Sequence, residues 1–236
     1  VGHWENTLEA FGSAVAMGAA MVELDCKLTG DGHVVVLHDH TLTRLWGVRK
    51  PVSGCDWSEL STIRRNGYRI PDLAETLATM PIPVMVDVPT VAIGEAALAV
   101  VEAARATDRC IFAGHVGALV RLHQASAQAR IALTWDKREL PGGDLLAATK
   151  PEWLNPRWRL ATTDLVERAH AAGMGVSVWT VDRTSDIRRV IAAGVDAVIT
   201  NQTARAVAAL QPRPGQPGPR RGRLWLDRFP WAKGGK

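Results

Sequence analysis

Three features of this 236-residue chain point to a parallel β/α fold closed into a barrel. Apolar runs of strand length recur at 84–88, 110–113, 131–135, 153–154, 175–181 and 197–200, with helical segments between most of them. The same junction occurs twice, as Ala171-Ala172-Gly173 and Ala192-Ala193-Gly194, each ending an amphipathic helix a few residues before a strand. Glycine there is the usual left-handed helix cap. Helix, glycine cap, short loop and apolar strand in repetition make parallel strands with crossover helices, and the number of strands favours closure over an open sheet. The length suffices for one large domain, and 47% hydrophobic with 22% charged residues is ordinary for a soluble protein.

The first helix is expected just after Glu5. Asn6 can cap it, Glu9 can reach back, and Leu8, Phe11, Ala14, Val15 and Gly18 fall on one stripe. Residues 21–28 read as a strand, Thr29-Gly30-Asp31-Gly32 as turn chemistry and 33–39 as a second strand. A hairpin about Asp31, pairing residues whose numbers sum to about 63, sets Asp25 opposite His38 on one face of the ribbon. From 41 to 68 the chain is polar and irregular, an excursion of the length that often serves as a lid or substrate-binding insertion. Ile70-Pro71-Asp72-Leu73 then leads into a helix ending near Met80.

No stretch approaches the roughly eighteen apolar residues of a transmembrane segment. Cys26, Cys55 and Cys110 are odd in number and widely spaced, which predicts buried, inert thiols and suits a cytoplasmic protein. The net charge of +4 is uneven: residues 211–236 carry +6, and the remainder is −2. That tail, rich in proline, glycine and arginine, cannot pack a core and is expected to be disordered. Its basic residues, with Trp225, Phe229 and Trp231, suit contact with an anionic surface, while no specific nucleic-acid partner is implied. The folded part is therefore placed at 1–210.

Glu23 and Asp25 lie two apart in an apolar strand, so both side chains leave the same face. Neighbouring carboxylates in a buried strand repel and are costly to desolvate, and a bound cation is the common remedy. Asp87 lies at the carboxyl end of another strand, the end where α/β barrels build active sites. Three oxygen donors with no nearby cysteine favour Mg²⁺ or Ca²⁺ over Zn²⁺. The bland reading is that one or two of these acids pair with arginines or sit at a strand mouth in water. His38, placed beside them, is suited to proton transfer at neutral pH. His123 and His170 fall on helices and read as surface residues.

The order Glu5-Asn6-Thr7, Glu23-Leu24-Asp25, His38-Asp39, Ile70-Pro71-Asp72-Leu73, Val178-Trp179-Thr180-Val181-Asp182 and Asp196-Ala197-Val198-Ile199-Thr200 resembles the glycerophosphodiester phosphodiesterase family. The resemblance covers about residues 5–210. It implies a metal-dependent TIM-type (β/α)8 barrel that cleaves a small-molecule phosphodiester to glycerol 3-phosphate and an alcohol. By resemblance Glu23, Asp25 and Asp87 hold the cation, His38 is one of two catalytic histidines, Glu5 orients an active-site arginine and Trp179 lines the glycerol pocket. The family's His-Arg-Gly motif falls upstream of Val1, which implies a missing first strand and impaired activity for the chain as it stands. Asp87-Val88-Pro89 replaces Glu-x-Lys, and Asp182 replaces a common asparagine. These departures leave an alternative, an inactive barrel that binds a phosphorylated ligand.

Overall fold

Thr7, not Asn6, caps the first helix. The Thr7 hydroxyl accepts the Ala10 N–H at 3.2 Å, and helix α1 runs over Leu8–Ala16. Asn6 stays outside it, with a φ of 55°, because its side chain is engaged on the neighbouring strand. The computed structural model describes residues 2–210 and divides the chain into two compact units, Val1–Ile131 and Ala132–Lys236. The tail expected to be disordered, 211–236, lies outside the described residues.

In the first unit, β1 (Val22–Leu28) pairs antiparallel with β2 (Val34–Val36). After β2 come α2 (Thr43–Trp46), α3 (Trp57–Leu60), the short ribbon β3 (Arg64–Arg65) and β4 (Tyr68–Arg69), and α4 (Leu73–Thr79). Then β5 (Val84–Val88), α5 (Val91–Ala103), β6 (Cys110–Gly114) and α6 (Val116–Ala125) alternate as expected. The sheet order is β2-β1-β5-β6, with β1, β5 and β6 parallel. Leu24, Val84, Val86, Ile111 and Phe112 are fully buried, which is why these segments read as near-continuous apolar runs.

Two expectations change here. The hairpin loop Gly30-Asp31-Gly32 is centred on Asp31 and closed by Thr29 N–H donating to the His33 carbonyl, so the paired numbers sum to 62, as in Cys26 with Val36. Asp25 therefore meets Leu37, whose N–H donates to its carbonyl, and His38 lies beyond the end of β2. Residues 41–68 are not irregular throughout: their short helices and ribbon enclose a small core of Leu42, Trp46, Val52, Cys55 and Leu60, with Trp4 and Tyr68 against it. Trp4 stacks on Tyr68 and meets Trp46 edge-on, so aromatic area holds a segment whose composition looks polar.

The second unit alternates β7 (Ala132–Trp135), α7 (Gly143–Thr149), β8 (Trp153–Pro156), α8 (Thr163–Ala171), β9 (Gly175–Val178), α9 (Thr184–Ala192), β10 (Ala197–Val198) and α10 (Thr203–Leu210). Its sheet, β10-β9-β8-β7, is parallel throughout. The two alanine-glycine junctions cap α8 and α9 as predicted, with Gly173 and Gly194 at φ of 83° and 92°. In each, the residue after glycine donates back five positions, Met174 to Ala169 and Val195 to Val190, closing the helix end. Among the described residues no helix is long and apolar enough to cross a membrane.

Candidate active site

β1 alternates buried Val22, Leu24 and Cys26 with Glu23 and Asp25, so the pleat aims both acids to one side. The parallel register of β1 and β5 sets Asp25 beside Asp87. Glu23, Asp25 and Asp87 each bring a carboxylate oxygen within 4.8 Å of the others. Among the described residues none of the three makes an ion pair, which removes the arginine-paired reading.

Asn6 fixes Asp25. Its Nδ2 donates to Asp25 Oδ2 at 2.8 Å, and the Asp25 backbone N–H donates to Asn6 Oδ1 at 3.0 Å. Asp87 is held differently. Its Oδ1 is buried with no hydrogen-bond partner. Behind it Gly114 has a φ of 117°, and a Cβ there would press well inside contact distance on Asp87 Oδ1 and the Val88 carbonyl. The chain keeps a bare backbone at this point to seat the Asp87 carboxylate.

Crowding shows in the acidities. Burial, then the charges of Asp25, Asp87 and Glu5, push the Glu23 carboxyl well above its ordinary value. Burial first, then Asp25, raises Asp87 to about 6, with Lys27 and His38 opposing. Three converging oxygens, an orphaned buried acceptor and suppressed ionisation are what a hard divalent cation would relieve, so the donor set fits Mg²⁺ or Ca²⁺.

Beside this cluster is a second. Glu5, His38 and Asp39 also bring ligand-type atoms within 4.8 Å of one another. His38 Nδ1 lies 2.9 Å from Asp39 Oδ1, which sets the ring proton at Nδ1 and leaves Nε2 free to exchange protons. The Asp39 hydrogen bond raises the His38 pKa, burial opposes it, and the charges of Asp25, Glu5 and Asp39 add to the rise. Arg44 of α2 donates from Nε to Asp39 Oδ2 at 2.6 Å and from Nη2 to Oδ1 at 3.0 Å, and Nη2 also pairs with Glu5. Arg44 holds the Asp39 carboxyl down to about 2. Its signal in the sequence is slight: a cation on the first helical turn after His38-Asp39, within a polar stretch.

Asp25, Asp87, His38 and Asp39 line one cleft of about 460 Å³ in the first unit, together with Lys27 and His40. Trp179 belongs to the second unit, just after β9, where its Nε1 donates to the Asn155 carbonyl at 3.0 Å and the Arg157 guanidinium lies 5.1 Å from its ring. Asp182 accepts the Thr200 hydroxyl and the Asn201 N–H, a turn clamp. His123 and His170 are half-buried rather than surface residues. His123 Nδ1 is buried without a partner, and His170 pairs with Asp196 at 2.7 Å.

Residues 2–205 match the sequence profile of the glycerophosphoryl diester phosphodiesterase family. The chain belongs to this family. Among curated relatives, a glycerophosphodiester phosphodiesterase of Caldanaerobacter subterraneus is 28% identical over 84% of this chain and 88% of its own length. Another, from Bacillus altitudinis, is 29% identical over 86% and 91%. Among solved structures, an Oleispira antarctica phosphodiesterase in complex with the product sn-glycerol-3-phosphate superposes with a TM-score of 0.80 at 21% identity, covering 87% of this chain and 90% of that one. A phosphodiesterase-family structure from Silicibacter pomeroyi gives 0.78 at 22% identity, covering 87% and 88%. At that identity the likeness speaks to the fold, and it is the TIM-type barrel architecture expected from the sequence.

Proposed function

We propose that this family member hydrolyses glycerophosphodiesters to glycerol 3-phosphate and an alcohol, with Mg²⁺ or Ca²⁺ held by Glu23, Asp25 and Asp87. The observation that carries the reading is the convergence of these acids within 4.8 Å, one with an orphaned buried oxygen, beside His38. A divalent ion held there supplies positive charge for the phosphoryl oxygens.

The chain's own residues do the rest. Asn6 locks Asp25 in place. Asp39 orients the His38 ring, and Arg44 keeps Asp39 ionised so that it accepts a hydrogen bond from the Nδ1–H. Protonated His38 then gives its Nε2 proton to the leaving alcohol oxygen as the phosphorus–oxygen bond breaks, and water supplies the replacing oxygen, its own proton passing to solvent, from which His38 is reprotonated. Glu5 steadies the arginine rather than the substrate. Trp179 is assigned to the glycerol end by resemblance, its ring already braced by Asn155 and Arg157. The buried thiols of Cys26, Cys55 and Cys110, none of them paired, support a cytoplasmic setting.

The test is release of glycerol 3-phosphate from glycerophosphocholine and glycerophosphoethanolamine, with excess EDTA and then with millimolar Mg²⁺ or Ca²⁺. Release that needs a divalent ion and disappears in Asp25→Asn supports the reading; no release with any ion rejects it.

A further inference from the structure

Lys27 continues β1 two residues beyond Asp25 and is only 6% exposed, yet it lines the same cleft as Asp25, Asp87 and His38. An ammonium has three donors to satisfy. The hydrogen bond Lys27 makes is a long one, 3.3 Å from Nζ to the carbonyl of Cys26, its own neighbour. Among the described residues it forms no ion pair within 4.0 Å, although acids share its cleft. A buried, under-satisfied cation facing a cleft calls for an oxyanion.

Charge balance gives the same answer. Three ionised carboxylates around a dication keep one net negative charge, which would repel a phosphodiester anion; Lys27 cancels it. Glu5, Asp39, Arg44 and a protonated His38 are neutral as a group, so the compensation falls to Lys27. Pro89, on the cleft wall after β5, offers no charge.

We propose that Lys27 is a substrate-binding residue that donates to a non-bridging phosphate oxygen and makes the acid-lined cleft accept an anionic diester. The inference rests on the phosphodiesterase reading for the identity of the ligand, and its test is separable from that reading. Thermal unfolding of the full chain is followed with saturating Mg²⁺ alone and then with added inorganic phosphate or glycerol 3-phosphate. The wild type is expected to gain stability from the metal and again from the phosphate compound. Lys27→Met and Lys27→Gln should keep the first increment and lose the second, and Lys27→Arg should recover part of it. Where diester turnover is measurable, KM should rise about 10- to 100-fold in Lys27→Gln with a smaller change in kcat, in line with losing one charge-assisted hydrogen bond. A phosphate increment that is absent in the wild type, or unchanged in both neutral variants, overturns the proposal. If Lys27→Met does not fold, Lys27→Gln carries the comparison, since it keeps a donor and loses only the charge. Loss of turnover on every diester with the Lys27-dependent phosphate increment intact would count against the hydrolase reading and leave Lys27 an anion-binding residue.

Discussion

Replacing Asp87 with asparagine should stabilise the metal-free protein at neutral pH, the opposite of what deleting a buried hydrogen-bonding group usually does. The carboxyl is raised from 3.8 to about 6 by burial and by Asp25. A folded-state pKa above the unfolded value means that the native state holds the proton more tightly. The stability this contributes is present below about pH 4 and is lost as pH rises through about 6. By pH 8 the ionised group costs about 3 kcal/mol, and roughly half of that is already felt at pH 5. Asparagine removes the titration but keeps the shape. Measured in EDTA, the variant should therefore gain on the wild type by about 1.4 kcal/mol between pH 5 and pH 8. For a chain of this size that is roughly 3–6 °C in melting temperature. The assay is thermal unfolding of both proteins at the two pH values, reading the change in their difference so that any constant effect of the substitution drops out. A difference that stays fixed, or moves the other way, refutes the claim that Asp87 is an electrostatically strained acid.

Asn6→Ala strips the partner from the part-buried Asp25 N–H, so it should cost about 1–3 kcal/mol in urea unfolding. Cation affinity should fall about 10- to 100-fold, as is typical for a group that orients a ligand; unchanged affinity would demote Asn6 to a loop residue. Gly114→Ala forces a side chain onto Asp87 at a φ of 117°, so it should lose upwards of 1 kcal/mol or so and weaken divalent-ion stabilisation. A fully stable variant with normal ion response would show that the backbone yields there. Arg44→Leu removes the charge that holds Asp39 near 2. It should lower kcat about 10-fold or more and move the His38-dependent limb of the pH–rate profile to higher pH, because a nearby cation no longer opposes imidazolium. A profile that does not move would separate Arg44 from His38.

The parts of this molecule governed by local period and turn chemistry were readable in advance. Strand 84–88 matched residue for residue, and Gly173 and Gly194 cap their helices in the left-handed conformation expected of them. The acid pair was legible because a strand repeats every two residues, and Asp87 because it lies at the carboxyl end of one. What failed depended on contacts distant in sequence. Asn6 fits a helix cap by composition, but its better partner is Asp25, nineteen residues on, and Thr7 takes over the cap. The one-residue error in hairpin register came from placing the turn's centre past Asp31, which set His38 opposite Asp25 where Leu37 stands. Residues 41–68 read as irregular because Gly47, Pro51, Gly54 and Gly67 interrupt any period, yet Trp46 and Tyr68 find Trp4 across the fold. Arg44 sits in that segment, so its role was hidden with it.

The central claim is that Glu23, Asp25 and Asp87 together hold one hard cation. Calorimetric titration of Mg²⁺ and Ca²⁺ into the full chain at pH 7.5, alongside Glu23→Gln and Asp25→Asn, addresses it without relying on catalysis. The account predicts saturable binding of one ion per chain, lost in both variants. Binding that is absent in the wild type, or that survives both substitutions, would contradict it.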